Sequence, residues 1–132
     1  MSMSKTKIKI LLIDDEEEFA STLAERLELR GYETRTAVCG EDGLNLLAGE
    51  TFDIAVLDLM MPGMSGLETL RSIKSSTPDM PVVLLTGHGS TKEGMEGMRL
   101  GAFDYLMKPL DIKDLTLKIL SAVGASDGKE NE

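Results

Sequence analysis

Short apolar runs alternate with helical patterns along this chain, and that alternation constrains the fold more than any other feature. The runs predict strands at Ile8–Ile13, Tyr32–Ala37, Ile54–Leu57, Val82–Leu85 and Phe103–Leu106. Strands that alternate with helices are typical of a parallel sheet with helices on both faces. The "ILLI", "IAVL" and "VVLL" runs are continuously apolar, as strands buried on both sides require. Because Tyr32–Ala37 alternates instead, we expect it at an edge.

The segments between the predicted strands have helical spacing, and several carry signals for where a helix begins or ends. The first is expected to stop at Gly31, a residue suited to a left-handed C-terminal cap. The third and fourth open with the capping-box pattern, at Ser65–Glu68 and Ser90–Glu93. After Val123 the sequence becomes polar, and we expect the fold to end there.

Length and charge limit what such a domain can do. We expect one domain at residues 7–123, between an N-terminal extension (1–6) and a polar tail (124–132), with no need for a disulfide or structural metal. The net charge of −9 disfavours direct binding to nucleic acid, because phosphates would be repelled. The chain has neither a long apolar run nor a signal-peptide pattern, so we expect a cytoplasmic protein that does not bind a membrane.

Polar residues follow four of the five predicted strands. Asp14 and Asp15 follow the first, Asp58 the third, Thr86 the fourth and Lys108 the fifth. Ligands of such sheets bind outside the carboxyl ends of the strands, so we expect these side chains to lie together there. Carboxylate oxygens suit Mg²⁺, whereas an ammonium and a hydroxyl can bind phosphoryl oxygens.

The five consecutive acids that begin at Asp14 also have a simpler explanation. Acidic residues near a helix N-terminus are stabilised by the helix dipole. We accept that explanation for Glu16, Glu17 and Glu18, and assign Asp14 and Asp15 to a metal site. Without a cation, repulsion among the clustered carboxylates is expected to raise at least one of their pKa values.

Four stretches occur in order at the predicted strand ends: "ILLIDDE", "IAVLDLMMPGMSGLE", "VVLLTGH" and "AFDYLMKPL". With them the chain resembles the CheY-like receiver domains of two-component response regulators, from about Lys7 to Val123. The resemblance implies a doubly wound, flavodoxin-like α/β fold whose five-stranded parallel sheet has the order 2-1-3-4-5. It also implies a signalling protein whose only chemistry is its own phosphorylation and autodephosphorylation, rather than an enzyme.

The resemblance implies a role for each acidic residue of the site. Asp58 would accept a phosphoryl group from a histidine kinase or a histidine phosphotransfer protein. Asp15, Asp58 and the backbone carbonyl of Met60 would ligate Mg²⁺, with Mn²⁺ as a substitute. Asp14 would contribute through a water molecule.

The resemblance also covers the residues around the acceptor. Thr86 and Lys108 would contact the phosphoryl oxygens, Thr86 and Tyr105 would form the switch, and the Lys108–Pro109 bond would be cis. The surface of the fourth helix, fifth strand and fifth helix would then signal to a downstream output domain or protein, or form a homodimer. His88, two residues after Thr86, is expected to be an exposed loop residue.

Two other functions remain as alternatives. A receiver-like module could bind a partner without phosphorylation, although the intact set of Asp15, Asp58, Thr86 and Lys108 argues against it. An aspartate-nucleophile phosphohydrolase usually carries a second acid two residues after the nucleophile, where this chain has Met60. Such an enzyme also needs a cap or a larger pocket, for which the chain is too short.

The fourth helix is predicted to be the weakest element. Gly94 and Gly97 lie inside it, and each internal glycine costs roughly 1 kcal/mol relative to alanine. We expect its packing face to consist mainly of Met95, Met98 and Leu100. Replacing either glycine by alanine is therefore expected to stiffen the helix.

Overall fold

The computed structural model describes residues 7–61, 65–87 and 91–126. Within them, five strands alternate with five helices. The strands are β1 (Lys9–Ile13), β2 (Glu33–Ala37), β3 (Ile54–Asp58), β4 (Val82–Thr86) and β5 (Asp104–Met107). The helices are α1 (Glu17–Leu29), α2 (Gly40–Gly49), α3 (Gly66–Ser76), α4 (Thr91–Arg99) and α5 (Ile112–Ser126).

The strands form one parallel sheet in the order β2-β1-β3-β4-β5, which confirms the predicted topology. Every residue of β3 and β4 is buried, as their continuous apolar sequences require. β2 lies at an edge, and only Ala37 of its five residues is buried. Because β1 and β3 are adjacent interior strands, the residues that follow them lie side by side.

The sheet separates two apolar clusters, because successive side chains of a strand point to opposite faces. On one face Ile10, Leu12 and Val56 pack with residues of α1 and α5. On the other, Leu11, Ile13 and Leu57 pack with residues of α2 and α3. The fold is therefore doubly wound. Among the described residues, the buried charged side chains are those of Asp14 and Asp58, both at carboxyl ends of strands.

The predicted ends of several elements can be compared with those observed. Gly31 has φ +96° and closes α1 as predicted, and its N–H donates to the Glu28 carbonyl. Tyr32 donates to the Leu27 carbonyl in the same cap, so the prediction that Tyr32 begins the second strand is wrong. The predicted capping box of Ser65 and Glu68 is present.

The last helix is longer than predicted. α5 continues to Ser126, three residues beyond the predicted end at Val123. The second predicted capping box cannot be compared, because Ser90 lies outside the described residues.

The prediction for the packing face of the fourth helix is wrong for Met95 and Met98, whose side chains are 61% and 39% exposed, whereas Leu100, just after α4, packs against the core as predicted. Among the described residues of α4, the buried ones are Gly94 and Gly97. A Cβ atom at Gly94 would lie 2.8 Å from the ring of Tyr105, and one at Gly97 would overlap the side chain of Leu84. The glycines therefore bring the helix backbone against the sheet. An alanine at either position would clash with Tyr105 or Leu84, and we expect this clash to outweigh any stiffening of the helix.

Candidate functional site

Three aspartates meet at the carboxyl end of the sheet. Asp14 and Asp58 are 0% and 2% exposed, and Asp15 reaches solvent. One carboxylate oxygen from each lies within 4.8 Å of the other two. The structure thus brings together the three carboxylates that the sequence placed at this edge, because β1 and β3 are neighbours.

Asp14 holds the turn between β1 and α1. Its backbone N–H donates to the Ala37 carbonyl (3.0 Å), and its Oδ1 accepts from the backbone N–H of Glu16 (2.9 Å). Its Oδ2 lies 3.0 Å from Nζ of Lys108, but it has no aligned hydrogen bond to any described residue. A buried carboxylate oxygen in this condition is costly, so the site has a place for another positive group.

Asp58 is buried at the end of β3 with two contacts. Its Oδ1 accepts from the backbone N–H of Met60 (3.1 Å), and its Oδ2 lies 3.6 Å from Nζ of Lys108. Burial raises the pKa of Asp58 to about 6; the charge on Asp14 also raises it, while Met60 N–H and Lys108 act in the opposite direction. The predicted repulsion is present, but burial has the larger effect.

Lys108 follows β5 and brings an ammonium to the same place. Its backbone N–H donates to the Thr86 carbonyl (2.9 Å), and its peptide bond to Pro109 is cis, as the resemblance implied. Burial acts to lower the pKa of Lys108, but contacts with the Glu16 and Asp14 carboxylates outweigh burial and raise it above its ordinary value. Lys108 is therefore charged and cannot act as a proton acceptor at neutral pH.

Glu16 contacts Lys108, although the sequence placed it only at the start of α1. It occupies the N-cap position of α1 but makes no capping bond with its side chain. Its Oε1 instead lies 2.7 Å from Nζ of Lys108, the shortest contact of that ammonium with any described residue. Glu16 thus stands at the helix start as predicted, and it also contacts Lys108, which was not predicted. The strand-end rule places Lys108 near Asp14, but a run of five acids does not show which of them turns toward the ammonium.

The two switch residues lie beside the cluster rather than in it. Thr86 is buried at the end of β4, and its hydroxyl donates toward the Leu106 carbonyl of β5 at 3.5 Å. Asp58 pairs in register with Leu85, the residue before Thr86. Tyr105 is half-buried on β5 with its ring against Gly94. His88 lies outside the described residues.

Comparison with known families decides what kind of domain this is. Residues 10–120 match the family described as the response regulator receiver domain. The chain belongs to this family. Receiver domains are parts of two-component signalling systems, so the acidic edge of the sheet belongs to a signalling domain.

Curated relatives and solved structures agree with this assignment. The receiver is 39% identical to the transcriptional regulatory protein CpxR of Escherichia coli over 94% of this chain and 53% of that protein. It is 36% identical to the uncharacterised transcriptional regulatory protein YkoG of Bacillus subtilis over 93% of this chain and 54% of that protein. A crystal structure of a receiver domain protein from Clostridium thermocellum matches with 38% identity and a TM-score of 0.87, covering 91% of this chain and 97% of that one.

The chain spans about half the length of the curated relatives that it matches. The functions of the remaining half of those relatives are therefore not assigned to this chain. Among the described helices of this receiver, none has the length and apolar character needed to cross a membrane.

Proposed function

We propose that this receiver accepts a phosphoryl group on Asp58 from the phosphohistidine of a histidine kinase or a phosphotransfer protein. The observation that supports it is a buried carboxylate, 2% exposed, within 3.6 Å of a lysine ammonium and beside two further acids. A carboxylate oxygen of Asp58 forms a bond to phosphorus as the bond from phosphorus to the imidazole nitrogen breaks. The electron pair stays on that nitrogen, and Asp58 becomes an acyl phosphate.

The residues around Asp58 are suited to this transfer. The Met60 N–H holds one carboxylate oxygen in place, which fixes the direction of attack. The Lys108 ammonium can turn from the carboxylates to a phosphoryl oxygen and neutralise its charge. Among the described residues, the hydroxyl of Thr86 has one long contact, 3.5 Å to the Leu106 carbonyl, so little is lost when it turns to the phosphoryl group.

The acidic cluster also fits a divalent cation. Three carboxylate oxygens lie within 4.8 Å of one another, and the buried Oδ2 of Asp14 has no aligned hydrogen bond within the described residues. Asp15, Asp58 and the Met60 carbonyl would hold Mg²⁺ or Mn²⁺, with Asp14 acting through water. The bound cation supplies positive charge that offsets these carboxylates and the incoming phosphoryl oxygens.

The test of the acceptor is incubation with Mg²⁺ and acetyl phosphate, followed by intact-mass and peptide mass spectrometry. The wild type is expected to gain one phosphoryl group on Asp58, and Asp58→Asn, which is nearly the same shape, to gain none. Asp42→Asn is the matched control, because Asp42 is an exposed aspartate in the first turn of α2. Normal labelling of Asp58→Asn would exclude the assignment, and an unlabelled wild type would favour a module that works without phosphorylation.

We also propose that α4, β5 and α5 form the surface that responds to phosphorylation. When Thr86 turns toward the phosphoryl group, Tyr105 can enter the space that it leaves, and the Tyr105 ring already contacts α4 at Gly94. Large apolar side chains are exposed on all three elements: Met95, Met98, Met107, Leu117 and Leu120. Such a surface suits an attached output domain, a separate partner or a second copy of the receiver.

Amide hydrogen exchange with and without beryllofluoride tests this surface. The largest change in protection is expected between Thr86 and Tyr105, which covers the end of β4, α4 and the start of β5. If the largest change falls on α1 or α2, the proposed surface is the wrong one.

A further inference from the structure

Lys108 is shared between the phosphoryl acceptor and a carboxylate outside the aspartate cluster. Its Nζ lies 2.7 Å from Oε1 of Glu16, 3.0 Å from Oδ2 of Asp14 and 3.6 Å from Oδ2 of Asp58. The ammonium therefore lies closer to Glu16 than to the acceptor. The proposed phosphorylation chemistry needs Lys108 at the phosphoryl group and gives no role to Glu16.

The turn before α1 places Glu16 where it can reach Lys108. The backbone N–H of Glu16 is held by Oδ1 of Asp14, and the residue has extended backbone angles (φ −83°, ψ 92°). Its side chain caps nothing on its own helix. Lys108 Nζ also lies 4.4 Å from the centre of the Phe19 ring, which belongs to the first turn of α1. The start of α1 thus determines where the ammonium lies.

We propose that Glu16 is a positioning residue that competes with the acceptor for Lys108 and so slows phosphoryl uptake by Asp58. The proposal rests on the phosphorylation of Asp58 proposed above. For Lys108 to stabilise the transferring phosphoryl group, its ammonium must give up the contact with Glu16. The side chain of Glu16 is 62% exposed, so solvent and salt weaken this contact and the effect on rate is modest.

The test compares initial rates of labelling by acetyl phosphate at saturating Mg²⁺ for the wild type, Glu16→Gln and Glu17→Gln. Glu17 is an exposed acid in the same first helical turn and makes no described contact with Lys108, so its replacement removes an equal charge without freeing the ammonium. We expect Glu16→Gln to be faster by about two- to fivefold at low salt, and Glu17→Gln to remain near the wild-type rate. At about 1 M salt, the difference between Glu16→Gln and the wild type should largely disappear, because screening weakens the ion pair.

An unchanged or slower Glu16→Gln would overturn the proposal. So would equal acceleration in both variants, since that would be an effect of net charge on an anionic donor rather than of the contact.

A second measurement tests the contact without phosphorylation. In a double-mutant cycle of Glu16→Gln and Lys108→Met, followed by urea unfolding, a coupling that decreases with salt is expected. No coupling would overturn the placement of Lys108 against Glu16. If the coupling is present but the wild type cannot be labelled, the phosphorylation proposal fails and the role of Glu16 in phosphoryl uptake fails with it, while the ion pair stands.

Discussion

Charged residues cluster at both ends of the sheet, but the two clusters are balanced very differently. At the amino end, Nζ of Lys9 and Nη1 of Arg35 each lie 2.9 Å from a carboxylate oxygen of Glu50. Asp53 accepts from the backbone N–H of Lys9 at 2.8 Å. Two cations thus pair with Glu50, and a backbone N–H binds Asp53. The Lys9 hydrogen bond and the neighbouring positive charges hold the pKa of Glu50 below its ordinary value.

At the carboxyl end, the described residues place one ammonium, that of Lys108, beside four carboxylates. Lys108 contacts Asp14, Glu16 and Asp58, and Asp15 lies within the same group of aspartates. The two clusters therefore differ in how far their charges are neutralised. Paired surface charges add a little to the free energy of unfolding. An excess of buried negative charge lowers it, and such an excess is typical of sites for binding or chemistry.

The largest effect is expected from removing the ammonium of Lys108 at the carboxyl end. With a chelator present, Lys108→Met should lower the free energy of unfolding by about 2–4 kcal/mol, because Asp14 and Asp58 lose the ammonium that neutralises them. Lys9→Met at the amino end is the matched variant and should lose less, since its partner is more exposed. Urea unfolding of both proteins measures this, and equal losses would remove the distinction between the two ends.

A divalent cation should offset the excess of negative charge at the carboxyl end. Mg²⁺ at a hundredfold excess over its dissociation constant is expected to stabilise the fold by about 2.7 kcal/mol. Asp15→Asn should weaken this effect, because it removes a carboxylate from the cluster, whereas Glu50→Gln at the other end should leave it intact. Thermal unfolding across a Mg²⁺ titration checks this; a melting temperature that ignores Mg²⁺ would contradict the proposed site.

Neutralising the acceptor should also relieve the repulsion. Without a divalent cation, Asp58→Asn is expected to raise the free energy of unfolding at pH 7.5 by about 1–3 kcal/mol, since the pKa of Asp58 is about 6 in the fold and about 3.9 when unfolded. An acid whose pKa is raised by folding destabilises the fold as the pH rises between these two values. The advantage of Asp58→Asn should therefore be complete above about pH 7 and absent below about pH 4. Urea unfolding at several pH values measures it, and an advantage independent of pH would show another cause.

The smallest effect is expected at the amino end. Glu50→Gln should lower stability slightly, and the loss should vanish at high salt because the ion pairs with Lys9 and Arg35 are near the surface. Phosphoryl labelling of Asp58 should not change. Slower labelling in this variant would show that the two ends are coupled.

The sequence predicted those parts of the molecule that depend on local pattern. Strand runs, the Gly31 cap and the Ser65 capping box are local, and the rule that ligands bind at carboxyl strand ends brought Asp14, Asp58 and Lys108 together. The contact of Glu16 with Lys108 was missed because Glu16 lies in a run of acids that also suits a helix start, and the run does not show which acid turns toward the ammonium. Met95 and Met98 were wrongly assigned to the packing face because apolar side chains normally face the core, and here Gly94 and Gly97 do so instead.

The close approach of α4 has a consequence for how this helix can move. Helices that interlock through side chains must change rotamers or separate before they can shift, since ridges fill grooves. The buried residues of α4 among those described, Gly94 and Gly97, have no rotamers to change. We therefore expect α4 to shift over β4 and β5 without rotamer changes at these two positions. The ring of Tyr105 and the side chain of Leu84 would limit how far it shifts. A small displacement of that ring would then be enough to set the position of the whole helix.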